Sequence, residues 1–168
     1  MPKADPVGFL VNPANSNAKS DAADAQAAAQ AVGRTLIVAQ ASTDDALRDA
    51  FATLSEQGAG ALLLAADVFF RGRIDQLVVL ASRHRLPTLT AWREATASGA
   101  LMSYSASQTE GYYQQGAYVG RILNGENPAN LPVVLPTKFE LAINLRTAKA
   151  LGLTIPETLL ATADEVIQ

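Results

Sequence analysis

Four groups of polar and aromatic side chains stand where runs of apolar residues end, and they are the part of this sequence with chemistry to offer. Asn12 and Asn15 follow the run 7–11, and Asp67, Phe69 and Phe70 follow 61–65. Trp92, Arg93 and Glu94 follow 86–90, and Ser103, Tyr104, Ser105 and Ser107 close 100–103. Amides, hydroxyls, aromatic rings and a single arginine suit the grip of a small polar or zwitterionic molecule with an aromatic part. They do not assemble a reaction centre. The chain has one histidine and no cysteine, so thiolate and imidazole metal clusters and histidine-dependent nucleophile triads lack their components. No catalytic, cofactor-binding or metal-binding residue is expected. His84, in Arg83-His84-Arg85 at a helix end, is read as one of the cations that favour the negative end of the helix dipole.

Each candidate also has a plainer role. Asn12-Pro13 is a turn signal, and Asp67 can cap the helix that follows it. Phe69 and Phe70 are adjacent and cannot both face inward on a regular element, so at least one packs or lies exposed. Trp92 suits packing in a core or interface. Residues 103–107 read equally well as a polar loop.

The elements that must position these residues alternate strictly. Continuous apolar runs at 7–11, 35–39 and 61–65 read as buried strands. Between them, 16–32 carries Ala22, Ala25, Ala29 and Val32 at helical spacing, and 44–57 carries Leu47, Phe51 and Leu54. A third helix presents Ile74, Leu77, Val78 and Ala81, and 86–90 and 100–103 are short fourth and fifth strands around a helical turn at 93–97. Strand–helix–strand crossovers require a mainly parallel sheet with helices on both faces. The expected fold is therefore a doubly wound, flavodoxin-like α/β lobe of strand order 2-1-3-4-5, whose ligands sit beyond the carboxyl ends of the strands.

Past Ser103 the rhythm stops. A helix over 109–123 carries Tyr112, Gly116, Val119 and Leu123 on one side. A proline-punctuated stretch then leads to 138–144, where alternation predicts a strand suited to a sheet edge. Residues 146–151 read as a short helix and 156–166 as a final helical piece. The expected division is a lobe over 1–103 and, over 104–168, a crossover helix, an added edge strand and a helical segment packing on the lobe or on a partner chain.

Composition narrows the function classes. A chain of 168 residues, 49% hydrophobic and 17% charged, suits one compact domain. Its net charge of -3 offers no basic surface for nucleic acid. No apolar run approaches the roughly 20 residues of a membrane span, so membrane insertion is not expected. Residues 1–6 lack the pattern of a secretory signal, which taken alone reads as cytoplasmic. A phosphoacceptor signalling domain would carry an acidic pair after the first strand, and a dinucleotide protein a glycine-rich loop there; Asn12-Pro13 provides neither.

These segments resemble the ABC-transporter substrate-binding protein family of the type I periplasmic fold, in the branch that includes tryptophan- and tyrosine-type binders. The carrying pieces are 8–13, 60–70, 101–104, 120–125, 131–133 and, most specific, Pro136-Thr137-Lys138-Phe139-Glu140-Leu141-Ala142-Ile143-Asn144-Leu145. The resemblance implies a non-catalytic solute-binding protein for a small amino acid or aromatic acid, an ABC transporter permease as partner, and the periplasm as compartment. Such proteins close two similar lobes around the solute. This chain resembles the second lobe with its C-terminal return segment, and the helix matching 111–123 packs, in the family pattern, on the other lobe. Two copies exchanging their segments beyond Ser103 would cover that helix, so a homodimer is expected. An interaction or structural module that has lost solute binding, and a flavodoxin-like signalling domain, are the alternatives.

Overall fold

The computed structural model describes residues 6–168, in two compact units: the residues up to Tyr104 together with Leu141–Gln168, and Ser105–Glu140. In the first unit β1 (Val7–Val11), α1 (Ala18–Ala31), β2 (Leu36–Gln40), α2 (Asp44–Glu56), β3 (Ala61–Leu64), α3 (Val68–Arg71), α4 (Ile74–Arg83), β4 (Thr88–Thr90) and α5 (Arg93–Ser98) follow in turn. The sheet continues with β5 (Met102–Ala106), β6 (Phe139–Asn144) and β7 (Glu165–Ile167), in the order β2-β1-β3-β4-β5-β6-β7. The pairs β1–β2, β1–β3, β3–β4, β4–β5 and β6–β7 are parallel. The expected 2-1-3-4-5 lobe is present, extended by two strands.

The apolar stripes explain the layers. Leu47, Phe51 and Leu54 of α2 and Leu77 and Leu80 of α4 are buried with Leu10, Leu62 and Leu64 of the sheet. Gly8 belongs to the same face, because a side chain there would meet Leu54 Cδ2 at 2.9 Å. Helix α1 packs on β1 and β2, and the reversal of winding between β1–α1–β2 and β2–α2–β3 places it on the opposite face. Its stripe is shallower than its alanine spacing predicts: Ala29 is buried, but Val32 is 71% exposed at the C-cap.

The C-terminal region departs from the sequence reading. Helix in 156–166 is confined to α8 (Glu157–Leu160), and the β-branched Val166 and Ile167 extend the sheet instead. Consequently 139–144 is not the edge: β6 lies between β5 and β7, with Asp164 N donating to Leu141 O at 2.9 Å. Asn144 N donates to Leu101 O and Ser107 N to Lys138 O, so β5 and β6 run antiparallel. Asn144, buried, caps α7 (Leu145–Ala150) by accepting from Thr147 N and donates to Thr96 O at 2.9 Å.

The second unit is built on α6 (Gln108–Leu123), capped by Ser107, whose hydroxyl donates to Glu140 at 2.6 Å. Tyr118 OH donates to Pro132 O at 2.6 Å, and Arg121 pairs with Glu126 through two nitrogens. No residue of α6 is buried. Among the described residues no helix is long and apolar enough to cross a membrane.

Candidate functional site

Three of the predicted residues come together at the carboxyl ends of the neighbouring strands β1 and β3. Asn12 Nδ2 donates to Asp67 Oδ1 at 3.0 Å and Asn15 Nδ2 to Asp67 Oδ2 at 2.8 Å. The asparagine carbonyls fold their own loop, Asn12 Oδ1 accepting from Ala14 N and Asn15 Oδ1 from Asn17 N. Asp67 also caps α3, accepting from Phe69 N at 2.8 Å. The turn and cap roles read from the sequence are thus present, and they hold the side chains of all three residues at one end of the sheet.

The electrostatics of this cluster follow from its hydrogen bonds. Burial alone would raise the Asp67 carboxyl, but the Asn12 and Asn15 amides and the backbone N–H groups of Phe69 and Phe70 outweigh it and hold the group below its ordinary value. Asp67 is ionised at neutral pH. Each asparagine amide has two N–H groups and gives one to Asp67, leaving a second. The crevice end of β1 and β3 thus presents a fixed negative charge with amide donors beside it.

Around the cluster the candidates separate. Phe70 is fully buried and Phe69 only partly, its ring beneath the Arg73 guanidinium at 3.9 Å. Trp92 is buried in the core, and its backbone N–H donates to Thr90 Oγ1 at 3.2 Å. Arg93 is exposed and ion-paired with Glu165 of β7. Ser103 and Tyr104 lie inside β5, not in a loop after it; as consecutive strand residues they point to opposite faces, Ser103 buried and Tyr104 exposed. Arg71, absent from the sequence reading, forks onto Glu94 at 3.0 and 2.7 Å. Burial would raise the Glu94 carboxyl, but its own backbone N–H and Arg71 hold it below its ordinary value. Arg71 is the last residue of α3, and Arg73 is the N-cap of α4. His84 packs against Phe51, ring centroids 6.0 Å apart.

A family model described as ABC transporter substrate binding protein matches residues 1–167. The chain belongs to that family. Among solved structures, this substrate-binding-family chain is similar to a conserved domain protein from Vibrio cholerae, with 27% identity and a TM-score of 0.88 over 99% of this chain and 56% of that one. It is also similar to an ABC domain in complex with L-Trp from Streptococcus pneumonia, at 22% identity and a TM-score of 0.87, over 99% of this chain and 58% of that one. A third, the ligand-free, open structure of a substrate binding protein with adhesive properties from Clostridium difficile, gives 21% identity and a TM-score of 0.75 over 99% of this chain and 56% of that one. The family member described here thus spans just over half the length of the solved chains it matches. No curated protein sequence matches it.

Proposed function

We propose that this chain is a non-catalytic solute-binding domain. The carboxyl ends of β1, β3, β4 and β5 form one wall of a site for a small amino acid or aromatic acid. The observation that carries this reading is the Asn12–Asp67–Asn15 cluster. An ionised carboxylate fixed by two side-chain amides is a partner for the ammonium group of an amino acid, and the second N–H of each asparagine is a donor for its carboxylate. The L-Trp bound to the structural neighbour from Streptococcus pneumonia supports the same ligand class. In this reading Asn12, Asn15 and Asp67 hold the polar end, and the half-buried ring of Phe69, next to the Asp67 cap, lies beside it. One wall leaves a solute half exposed, so a second copy, exchanging the segment beyond Ser103, completes the assembly as a homodimer. An ABC transporter permease receives the solute.

A thermal-shift series with L-tryptophan, L-tyrosine and L-phenylalanine, run beside the corresponding acids without the amino group, tests this reading. A dose-dependent rise in melting temperature that is larger for the amino acids is expected. No shift with any of them, from a folded protein, would refute solute binding of this class.

A further inference from the structure

Six helices end in the same turn, in which a residue of positive φ and the one after it return their N–H groups to the last carbonyls of the helix. After α1, α2, α5, α6 and α7 that residue is Gly33, Gly58, Gly99, Gly125 and Gly152. After α4 it is Arg85, at a φ of 53°, the only non-glycine residue of positive φ among the described residues. A side chain in this conformation costs stability that glycine would not. The guanidinium is not needed to cap the helix, because Arg85 N and Leu86 N already take Ser82 O and Ala81 O at 3.1 and 2.9 Å.

Arg85 lines a cavity of about 390 Å³ between α4, the turn after α5 and α7, a size within the range of small-ligand sites. Val78, Leu86, Leu101 and Leu151 give it an apolar wall, and Arg146 of α7 is its other charged residue. No carboxylate lines it. Elsewhere Arg48, Arg71, Arg73, Arg93 and Arg121 are each ion-paired, whereas Arg85 and Arg146 have no salt bridge among the described residues. The threonine hydroxyls of the wall are already committed, Thr147 Oγ1 donating to Gly99 O at 2.9 Å and Thr88 Oγ1 to Leu86 O at 3.0 Å. In a chain of net charge -3, two unpaired guanidiniums share one largely apolar cavity.

We propose that this cavity is a second binding site, for an organic anion with a compact apolar body. The body lies on Val78, Leu86, Leu101 and Leu151, and a carboxylate or phosphate head is held by Arg85 and Arg146, whose forked N–H groups match either head. Arg85 precedes β4 and Leu101 precedes β5, so the site is at the amino ends of the strands. The Asn12–Asp67–Asn15 cluster is at the carboxyl ends and carries the opposite charge, so the two sites stand or fall separately. The proposal also explains the turn: glycine would fit it better, but only arginine brings a charge to the cavity.

Calorimetric titration of 2-naphthoate, 2-naphthyl phosphate and the uncharged 2-naphthol into the protein tests the site. At least one of the two anions is expected to bind saturably, at least tenfold more tightly than 2-naphthol, and the preferred anion identifies the head group. Arg85→Gly and Arg146→Gln should each weaken that binding at least tenfold, with Arg146→Lys keeping part of it. The Arg85→Gly protein should nevertheless melt at the same temperature or higher, since glycine suits the turn. A purely structural arginine would not combine kept stability with lost affinity. Absence of binding by both anions, equal binding of 2-naphthol, unchanged affinity in either the Arg85→Gly or the Arg146→Gln protein, or a lower melting temperature for Arg85→Gly would overturn the proposal.

Discussion

The two units use similar side chains to opposite ends. The sheet unit buries Leu10, Leu47, Phe51, Leu54 and Phe70 completely, whereas Ser107 is the only buried residue of 105–140. Apolar content does not separate them, since α6 carries Tyr112, Tyr113, Val119, Ile122 and Leu123. What differs is whether an apolar stripe faces a second layer. In the sheet unit every helix stripe of α2 and α4 has strands beneath it; the stripe of α6 has no such layer among the described residues. Helical propensity and local bonds such as Ser107 to Glu140 and Tyr118 to Pro132 hold the second unit's shape. Its apolar side is exposed.

Mutations can sharpen or break that contrast. The largest effect is expected for Phe51→Ala, which empties a fully buried site and should cost about 3–5 kcal/mol in urea unfolding. A loss under 1 kcal/mol would mean that the sheet unit is not the stable body of the protein. Next comes Asp67→Ala, which removes a helix cap and strands two asparagine amides, for about 1–2 kcal/mol.

The charge of Asp67 makes its own prediction. Its folded pKa is depressed, so the stability it contributes is complete above the ordinary carboxylate range and is lost as pH falls through the folded value. Measured by urea unfolding, the gap between the unmodified protein and Asp67→Asn should be widest near pH 7 and close below about pH 4. A gap that widens on acidification would show that Asp67 is not held ionised.

In the second unit the double substitution Tyr112→Ser with Leu123→Ser should move the main unfolding midpoint by less than about 0.5 kcal/mol per subunit at low concentration, because neither side chain is buried. Light scattering should show the same variant shifted toward monomer. A comparably small effect is expected at the surface pair of Arg71 and Glu94. Arg71→Ala should cost less than about 1 kcal/mol, and less again in high salt.

How far the sequence reached depends on separation along the chain. The 2-1-3-4-5 order was legible because each βα unit is local and its handedness is constrained, and that order places Asn12 beside Asp67 across β1 and β3. Arg93 was another matter. It was read as one of the side chains that grip a ligand, but its partner Glu165 lies 72 residues on, in the stretch 156–166 that reads as a helical piece. Three residues pairing with β6 override that propensity, which no local window contains. Ser103 and Tyr104 were misplaced for a related reason: β5 continues to Ala106 because Ser107 N finds Lys138 O, a bond formed by the returning chain.

The central claim is that the Asn12–Asp67–Asn15 cluster binds the ammonium end of an amino acid. Isothermal titration of L-tryptophan, L-tyrosine and L-phenylalanine into the unmodified protein and into a folded Asp67→Asn variant tests it most directly. The account predicts saturable binding of at least one of them to the unmodified protein, weakened at least tenfold in the variant. Equal affinity in both proteins, or no binding to either, would contradict it.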